Sequence, residues 1–258
     1  MILYVNARFL TQPVSGVQRY AIECCRKIKK KYKECVLLVP PDIHNTTVAA
    51  ELGAQVVGSR TGHAWEQIDL PRYLRRIGSP PLFNPCNTAP LFYSNNYLAL
   101  HDLAFHYHPG WNSRAFALWY KTLVPRIVRR SKHIFTVSQT VKAEIATVYG
   151  VPFDKISVTY NGLSDKMMSG ANDTEKEKIV FAVGSFNTRK NHHRLIEAFR
   201  LAAPEGYKLI ITGDKNKVFA DTGIDEQTLE GSHIEIKRSL TDSELADLYR
   251  RAAVLVSV

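Results

Sequence analysis

The 258-residue sequence predicts an α/β fold built on parallel sheets. Short apolar runs alternate with amphipathic helical patterns along the chain, and this alternation is typical of βαβ units. Hydrophobic residues make up 45% and charged residues 22%, an ordinary globular composition that excludes an intrinsically disordered chain. No apolar stretch approaches the ~20 residues that a membrane-spanning helix needs, so we expect no transmembrane segment.

The first 165 residues carry the first series of elements, which we predict to form one domain. The helix at 16–32 has an apolar stripe with lysines on the opposite face. Pro71 is expected to break or kink the helix at 64–78, and Ser138 is expected to cap the helix that follows it. Further helices are predicted at 113–130 and 139–149, and strands at 2–6, 35–40, 54–58, 97–102, 133–138 and 155–162.

Residues 166–178 separate this series from a second one. They lack apolar periodicity and are rich in charge and turn formers, which predicts a linker. Residues 179–258 then form a second, partial domain, in which Thr241 and Glu244 have the spacing of a helix capping box. The second series has strands at 178–185, 207–214, 233–237 and 253–258, and helices at 191–203 and 241–252.

The final run, residues 253–258, is apolar throughout. Such a run predicts a strand that is buried on both faces within a parallel sheet. With it the second domain has about four strands, whereas a doubly wound sheet usually has five or six. We therefore expect an incomplete Rossmann-like domain whose last strand leaves an exposed apolar edge, and such an edge promotes self-association.

The positive charge is concentrated in the first domain. Residues 1–165 contain 20 Lys and Arg against 10 Asp and Glu, whereas residues 166–258 contain 14 of each. The whole net charge of +10 thus lies in the first part, which favours an anionic partner such as a lipid surface, a phosphorylated ligand or nucleic acid. Solvated helix faces explain the same charge equally well, and no nucleic-acid recognition motif is found.

The cysteines and the N-terminus predict a cytoplasmic protein. None of the four cysteines has C-x-x-C spacing or a nearby histidine, so we expect free thiols in a reducing compartment. The first ten residues lack a basic leader followed by an apolar block, and no signal peptide is expected. The cysteines are Cys24, Cys25, Cys35 and Cys86.

The strongest ligand-binding candidate is the segment GSFNTRKNHH, residues 184–193. Ligands of open α/β sheets bind beyond the carboxyl ends of the strands, and this segment follows a strand and opens a helix. Free backbone N–H groups at Gly184 and beyond favour an anion there. Arg189 and Lys190 are unfavourable beside a helix N-terminus unless a phosphate offsets their charge. The alternative is a pair of solvated basic residues.

Three further residues follow strands of the first domain. Gly16 stands at a helix start, where a ligand could approach the backbone, although a plain turn explains it equally well. His101 follows a strand directly and could contact a ligand or move a proton, although a lone histidine there is more often structural. Ser138 has a capping role that also leaves its hydroxyl close to the ligand-binding edge.

Motifs of several other site types are absent. The sequence has no G-x-G-x-x-G, no G-x-x-x-x-G-K-[ST] and no G-x-S-x-G. We therefore expect no nicotinamide or flavin cofactor, no P-loop and no serine nucleophile elbow. No Asp-x-Asp pair or His/Cys cluster predicts a metal site.

An ordered set of motifs resembles the family-4 glycosyltransferases of the GT-B fold, especially bacterial enzymes of O-antigen and capsule assembly. The set covers almost the whole chain, and its specificity lies in the order and spacing. Its members are TQPVSGVQRYAIE, HDLAFHYHPGW, HIFTVSQTVKAEI, VPFDKISVTYNG, VGSFNTRKNHHRLIEAF and SLTDSELADLYRRAAVLVSV.

The resemblance implies two Rossmann-like domains with parallel sheets and a nucleotide-diphosphate sugar, rather than a cofactor, as the donor. Its sugar, with mannose as a first guess, would pass with retention and without a metal to a saccharide or lipid-linked acceptor in cell-surface polysaccharide synthesis. The basic first domain would then face an anionic inner-membrane surface. A sugar-nucleotide epimerase is a weaker match.

The resemblance also implies site roles. Arg189 and Lys190 match the basic pair that holds the diphosphate, within the donor segment that Gly184 begins. His101 matches a catalytic histidine near the transferred sugar, and Gly16 matches the first-loop glycine beside the phosphates. Leu240 falls where the backbone meets the base.

The chain departs from the family pattern at its end and at Ser185. Ser185 stands where some relatives carry an arginine. The family's last strand runs into a Glu-Gly-Phe-Gly-like loop that grips the donor, and no such loop is present here. We therefore expect a chain truncated in its second domain. The alternative to an active enzyme is a non-catalytic remnant or one half of a split glycosyltransferase completed by a missing C-terminal chain.

Overall fold

The computed structural model describes residues 2–111, 113–163, 175–186, 190–202, 205–213 and 232–257. The chain divides into two compact units. The first unit consists of Met1–Ala104 and Leu118–Gly162, and the second of Phe105–Ala117 and Leu163–Val258. The predicted linker at 166–178 lies mostly in residues 164–174, which are outside the described residues.

The first unit contains a seven-stranded parallel sheet of order β3-β2-β1-β4-β5-β6-β7. The order reverses between β1 and β4, as in doubly wound sheets. The predicted α/β class with parallel pairing is confirmed for this unit. Its strands are β1 Leu3–Asn6, β2 Cys35–Val39, β3 Gln55–Val56, β4 Leu82–Asn84, β5 Asn96–Ala99, β6 His133–Thr136 and β7 Ile156–Val158.

The second unit contains a four-stranded parallel sheet of order β10-β9-β8-β11 in the described residues. All four predicted strands are confirmed, with small shifts at their ends. The two-sheet α/β architecture predicted from the sequence is therefore confirmed. The strands are β8 Glu177–Val183, β9 Lys208–Thr212, β10 Ile234–Lys237 and β11 Ala252–Leu255.

Helices connect the strands in both units. All of the longer helices predicted from periodicity are present except the one at 64–78, which has a different form. In the described residues the α-helices are α1 Gly16–Lys31, α2 Thr46–Glu51, α3 Gly62–Ala64, α4 Leu70–Arg76, α5 Ala104–Tyr107, α6 Arg114–Arg130, α7 Gln139–Tyr149, α8 His192–Ala202 and α9 Asp242–Arg251.

Local side-chain chemistry sets several helix ends. Ser138 accepts a hydrogen bond from the Val141 N–H at 3.2 Å, so its predicted capping role is confirmed. The capping box of Thr241 and Glu244 is also confirmed: each side chain bonds to the backbone N–H of the other. Gly150 ends α7 in the left-handed conformation that glycine adopts at no steric cost.

Apolar runs pack on both faces of the first sheet, as expected for buried parallel strands. Leu37 and Leu38 are consecutive in β2, point to opposite faces and are both fully buried. Leu37 belongs to a cluster with α1 residues, whereas Leu38 belongs to a cluster around Trp65. Both faces of the sheet are therefore packed at β2, as the continuous apolar run of this strand predicts.

The predicted helix at 64–78 is interrupted by a π-helical turn at Trp65–Asp69. Pro71 lies in the first turn of α4, where its missing N–H is best tolerated. The helix is therefore interrupted by the π-helical turn that precedes Pro71, and not at the proline itself. Such π turns are rare and often occur at functional sites, and this one carries Glu66 into the interior.

The sequence did not predict strand β4. The strand has only three residues and lies between Pro81 and Pro85, which are strong turn signals. It nevertheless pairs with β1 on one side and with β5 on the other, so it is central to the sheet.

The apolar run at the end of the chain forms β11, which lies at one edge of the described sheet. The expectation of a strand buried within the sheet is therefore wrong for the described residues. Val254 is 47% exposed and Leu255 is 56% exposed. The second expectation, that this strand leaves an exposed apolar edge, is confirmed for the described residues.

Candidate functional site

At the carboxyl-terminal edge of the second sheet, two loops make a close backbone contact. The Gly184 N–H donates to the Thr212 carbonyl at 2.9 Å. A Cβ added to Gly213 would lie 2.0 Å from the Gly184 oxygen, which only a shift of the backbone could relieve. The loops after β8 and β9 therefore meet backbone to backbone, an arrangement that requires glycine.

Lys190 packs over this contact. A Cβ at Gly184 would lie 3.0 Å from both Cδ and Cε of Lys190, so the lysine side chain covers the glycine. The structure thus brings together two of the residues predicted to bind phosphate. Arg189, the third, lies outside the described residues.

His192 is a residue of this edge that the sequence analysis did not single out. It is the first residue of α8 and is only 3% exposed, and its Nε2 lies 3.2 Å from the Gly184 oxygen. Because a carbonyl only accepts, Nε2 carries the proton. Burial lowers the pKa of His192, which favours this neutral form. The only sequence signal for His192 was its place two residues after Lys190, in the segment Asn191-His192-His193.

Leu240 packs against a buried cluster of the second unit. It is partly buried against a cluster that contains Phe181 and Leu248. The residue before it, Ser239, has φ of 53°, so the backbone turns sharply at this point. The Leu240 side chain thus contributes to packing. The contact with the nucleotide base that the resemblance implies would involve the backbone of Leu240 and not its side chain.

The corresponding edge of the first sheet contains a buried polar network. Glu66 Oε1 accepts from Asn6 Nδ2 at 2.9 Å, from Arg8 Nε at 3.2 Å and from Thr88 Oγ1 at 2.9 Å. Arg8 Nη2 also donates to Thr88 Oγ1 at 3.0 Å. Asn6 is the last residue of β1, and Arg8, Glu66 and Thr88 lie after β1, β3 and β4, so the network joins three loops at one edge of the sheet.

Glu66 is charged in this network although it is 1% exposed. Burial alone would raise the pKa of Glu66, but the charge of Arg8 and hydrogen bonds from His63 and Asn6 outweigh it and lower the pKa to about 2. The pair is therefore ionic, and the hydrogen bonds around it satisfy both charges. The sequence could not reveal the pair, because its members are 58 positions apart.

His63 links the network to the surface. Its Nδ1 lies 3.2 Å from Glu66 Oε2, and its ring centroid lies 5.5 Å from that of Trp119 and 6.4 Å from that of Tyr120. The His63 side chain is 34% exposed and Trp119 is 40% exposed, whereas Tyr120 is buried.

His101, the predicted catalytic residue, is 7% exposed and follows β5. Its Nε2 donates to the Pro85 carbonyl at 2.8 Å, and the Tyr20 ring meets it edge to face at 4.5 Å. Burial lowers the pKa of His101, so the ring is neutral near pH 7. The Nε2 atom of His101 thus already has a hydrogen-bond partner within the protein.

Gly16 begins the helix that contacts His101, because Tyr20, one turn later in α1, meets the histidine ring edge to face. Among the described residues, no heavy atom lies within 4 Å of a Cβ placed on Gly16. The described part of the chain therefore does not require glycine at this position and leaves space beside it. The Ser138 hydroxyl, by contrast, is engaged in capping α7.

The described part of the chain contains no group of three or more His, Cys, Asp or Glu side chains that could hold a metal ion. Among the described helices, none has the length and apolarity to cross a membrane. All four cysteines are free thiols, as predicted.

Comparison with known proteins identifies the family. Residues 14–166 match the model of Glycosyltransferase Family 4, and residues 165–258 match that of Glycosyl transferases group 1. The first match covers more than half of the chain. The chain therefore belongs to Glycosyltransferase Family 4, and the family inferred from the ordered motifs is confirmed.

One similar protein is the O-antigen chain mannosyltransferase RfbU of Salmonella typhimurium LT2. It is 31% identical over 228 residues, and the match covers 81% of this chain. The chain spans 62% of the length of RfbU.

Solved structures of glycosyltransferases share the fold. Anabaena HepE, in complex with UDP-glucose, matches with a TM-score of 0.66 at 15% identity, over 100% of this chain and 73% of HepE. WaaG, a glycosyltransferase involved in lipopolysaccharide biosynthesis, matches with a TM-score of 0.64 at 12% identity, over 100% of this chain and 74% of WaaG. These likenesses confirm the predicted GT-B-type fold.

Proposed function

We propose that the protein transfers a sugar, with retention of anomeric configuration, from a nucleotide-diphosphate sugar to a saccharide or lipid-linked acceptor. The observation that carries this proposal is the Gly184–Gly213 backbone contact with Lys190 packed over it, at the ligand-binding edge of a parallel sheet. In a chain of this family, such a site suits a diphosphate.

The donor diphosphate would bind at the start of α8. Backbone N–H groups after Gly184 and the positive end of the helix favour an anion. Lys190 would add a cation directly above the glycine, and Arg189 would add a second one, as the family resemblance implies. As the glycosidic bond breaks, negative charge builds up on the leaving phosphate, and these cations would stabilise it. The proposed mechanism uses no metal ion or cofactor.

In this proposal His101 lies beside the transferred sugar. Its neutral ring is held by the Pro85 carbonyl and Tyr20, so it contributes a fixed position rather than a mobile charge. Gly16 would leave room for the donor phosphates, since the space beside it is open. The backbone at Leu240 would meet the nucleotide base, and the Ser138 hydroxyl would line the same edge of the first sheet.

The acceptor and the transferred sugar follow from the relatives. RfbU is a mannosyltransferase of the O-antigen chain, which supports mannose as the sugar and a growing saccharide as the acceptor. HepE binds UDP-glucose, which supports a nucleotide-diphosphate donor. The excess of positive charge in residues 1–165 suits a peripheral position on the anionic inner membrane face, where a lipid-linked acceptor would lie.

The test is a transfer reaction monitored by proton NMR. The protein is incubated with GDP-mannose or UDP-glucose and with lipid-linked saccharide extracted from a bacterial inner membrane. We expect a new glycosidic linkage whose anomeric configuration matches that of the donor. A linkage of the opposite configuration would contradict retention. Donor that stays intact with every acceptor would count against transfer by this chain.

A further inference from the structure

Two partly exposed aromatic rings lie beside the buried ionic network of the first unit. His63 and Trp119 have ring centroids 5.5 Å apart and an interplanar angle of 58°, so they form an angled pair. Both are partly open to solvent, and neither is used in the proposed donor chemistry. The pair lies at the edge of the sheet where the loops after β1, β3 and β4 meet, which is the edge at which open α/β sheets bind ligands.

The buried carboxylate sets which nitrogen of His63 donates. Because Glu66 is ionised and only accepts, His63 Nδ1 carries a proton and donates to Glu66 Oε2 at 3.2 Å. When this is the only proton on the ring, the opposite nitrogen, Nε2, is a hydrogen-bond acceptor. Among the described residues it has no hydrogen-bond partner, and a third of the side chain is exposed. His63 thus offers one oriented acceptor at the surface.

The network also makes the pair rigid. Arg8, Thr88 and Asn6 hold the Glu66 carboxylate, and the carboxylate holds His63. Gln67, the next residue of the π-helical turn, donates to the Ala89 carbonyl at 3.0 Å and so ties the turn to the loop after β4. A site whose side chains are already fixed loses little conformational entropy when a ligand binds.

The chemistry of the pair matches a sugar ring. A hexose has an apolar face of C–H groups, which an aromatic ring can cover, and hydroxyl groups that donate hydrogen bonds at its rim. We propose that Trp119 and His63 form a subsite for one hexose unit of the acceptor saccharide. Trp119 covers the apolar face of the hexose, and His63 Nε2 accepts a hydrogen bond from one of its hydroxyls. This subsite rests on the proposed function, since it takes the acceptor of that reaction.

The experiment uses saturation-transfer difference NMR on the full chain with methyl α-mannoside, methyl α-galactoside and methyl N-acetyl-α-glucosaminide as probes, at millimolar concentrations. We expect transfer to the ring protons of at least one glycoside. Trp119→Ala should abolish it, and Trp119→Phe, which keeps an aromatic face, should retain part of it. Tyr32→Ala is the matched control, because Tyr32 is an exposed aromatic residue at the opposite edge of the sheet, just before β2.

Two variants of His63 separate direct contact from support of the fold. His63→Asn keeps a donor near the position of Nδ1 for Glu66 but has no acceptor at the position of Nε2. His63→Gln places an amide oxygen near Nε2. We expect His63→Asn to weaken glycoside binding about tenfold with an unchanged melting temperature, and His63→Gln to weaken it less.

Binding of all three glycosides that is unaffected by Trp119→Ala and His63→Asn would overturn the subsite, as would the absence of binding to the wild-type protein. GDP and UDP binding is measured on the same samples. If nucleotide binding persists while glycoside binding fails, the subsite alone is wrong. If both fail, the proposed function is contradicted as well.

Discussion

Arg8 and Glu66 form an ion pair inside the first unit, where the side chains are 9% and 1% exposed. Such a pair contributes little net stability compared with apolar residues, because both charges lose their hydration. Removing one partner is costly, since the other charge is left buried. Glu66 accepts hydrogen bonds from Thr88 and Asn6, and Arg8 donates one to Thr88, so the two charged groups are satisfied as a unit.

We predict that Glu66→Gln lowers the free energy of unfolding by about 3 kcal/mol, because it leaves the Arg8 charge uncompensated. Urea unfolding followed by circular dichroism measures the change. The matched control is Glu51→Gln, which breaks the ion pair of Glu51 with Arg26 at the surface and should cost under ~1 kcal/mol. Equal effects of the two substitutions would contradict a buried, charged Glu66.

The same carboxylate predicts a pH dependence. The pKa of Glu66 is lowered from 4.5 to about 2 in the folded chain, so its stabilising effect is complete above pH 4.5 and is lost as the pH falls towards 2. The difference in unfolding free energy between the wild type and Glu66→Gln should therefore shrink steadily from pH 5 to pH 3. Urea titrations at pH 5, 4 and 3 measure it, and a constant difference would indicate that folding does not lower the pKa of Glu66.

Gly16 allows a residue-level test of the proposed donor site. Because a Cβ at Gly16 meets no heavy atom of the described residues within 4 Å, Gly16→Ala should leave the melting temperature unchanged or slightly raised. If donor phosphates approach the backbone there, the methyl group should weaken nucleotide binding about tenfold or more. Thermal unfolding and calorimetric titration with GDP and UDP give the two readouts. Unchanged affinity would remove Gly16 from the site.

At the scale of single elements, β11 has an unpaired apolar edge in the described sheet. Val254 and Leu255 are half exposed, and such edges pair with other strands. We predict that the 258-residue chain self-associates at micromolar concentrations and that Val254→Lys reduces this association. Multi-angle light scattering measures both. A wild-type chain that remains a monomer up to 100 µM would contradict the prediction.

Element prediction succeeded where the chemistry is local. The capping box at Thr241 and the cap at Ser138 are short-range signals, and both are present in the structure. The π-helical turn and β4 were missed for different reasons. A π turn has no sequence period of its own, and β4 is held in the sheet by its neighbours rather than by its three residues.

At the scale of the whole molecule, the alternation of strands and helices was enough to predict two parallel sheets. The rule that ligands bind at the carboxyl ends of strands led to the prediction of Gly184 and Lys190 as site residues, and the structure brings these two residues together. The Arg8–Glu66 network and the His63–Trp119 pair could not be predicted, because their members meet only after β1, β3 and β4 have assembled.

The second unit is proposed to bind the diphosphate of a sugar nucleotide at Gly184 and Lys190. Calorimetric titration with GDP and UDP tests it most directly, with Lys190→Ala compared with Lys176→Ala. Lys176 precedes the other end of β8, about 20 Å away, so its substitution removes the same charge from a different place. We predict that Lys190→Ala weakens nucleotide binding at least tenfold and that Lys176→Ala leaves it unchanged. Equal affinities for the wild type and Lys190→Ala would contradict the claim.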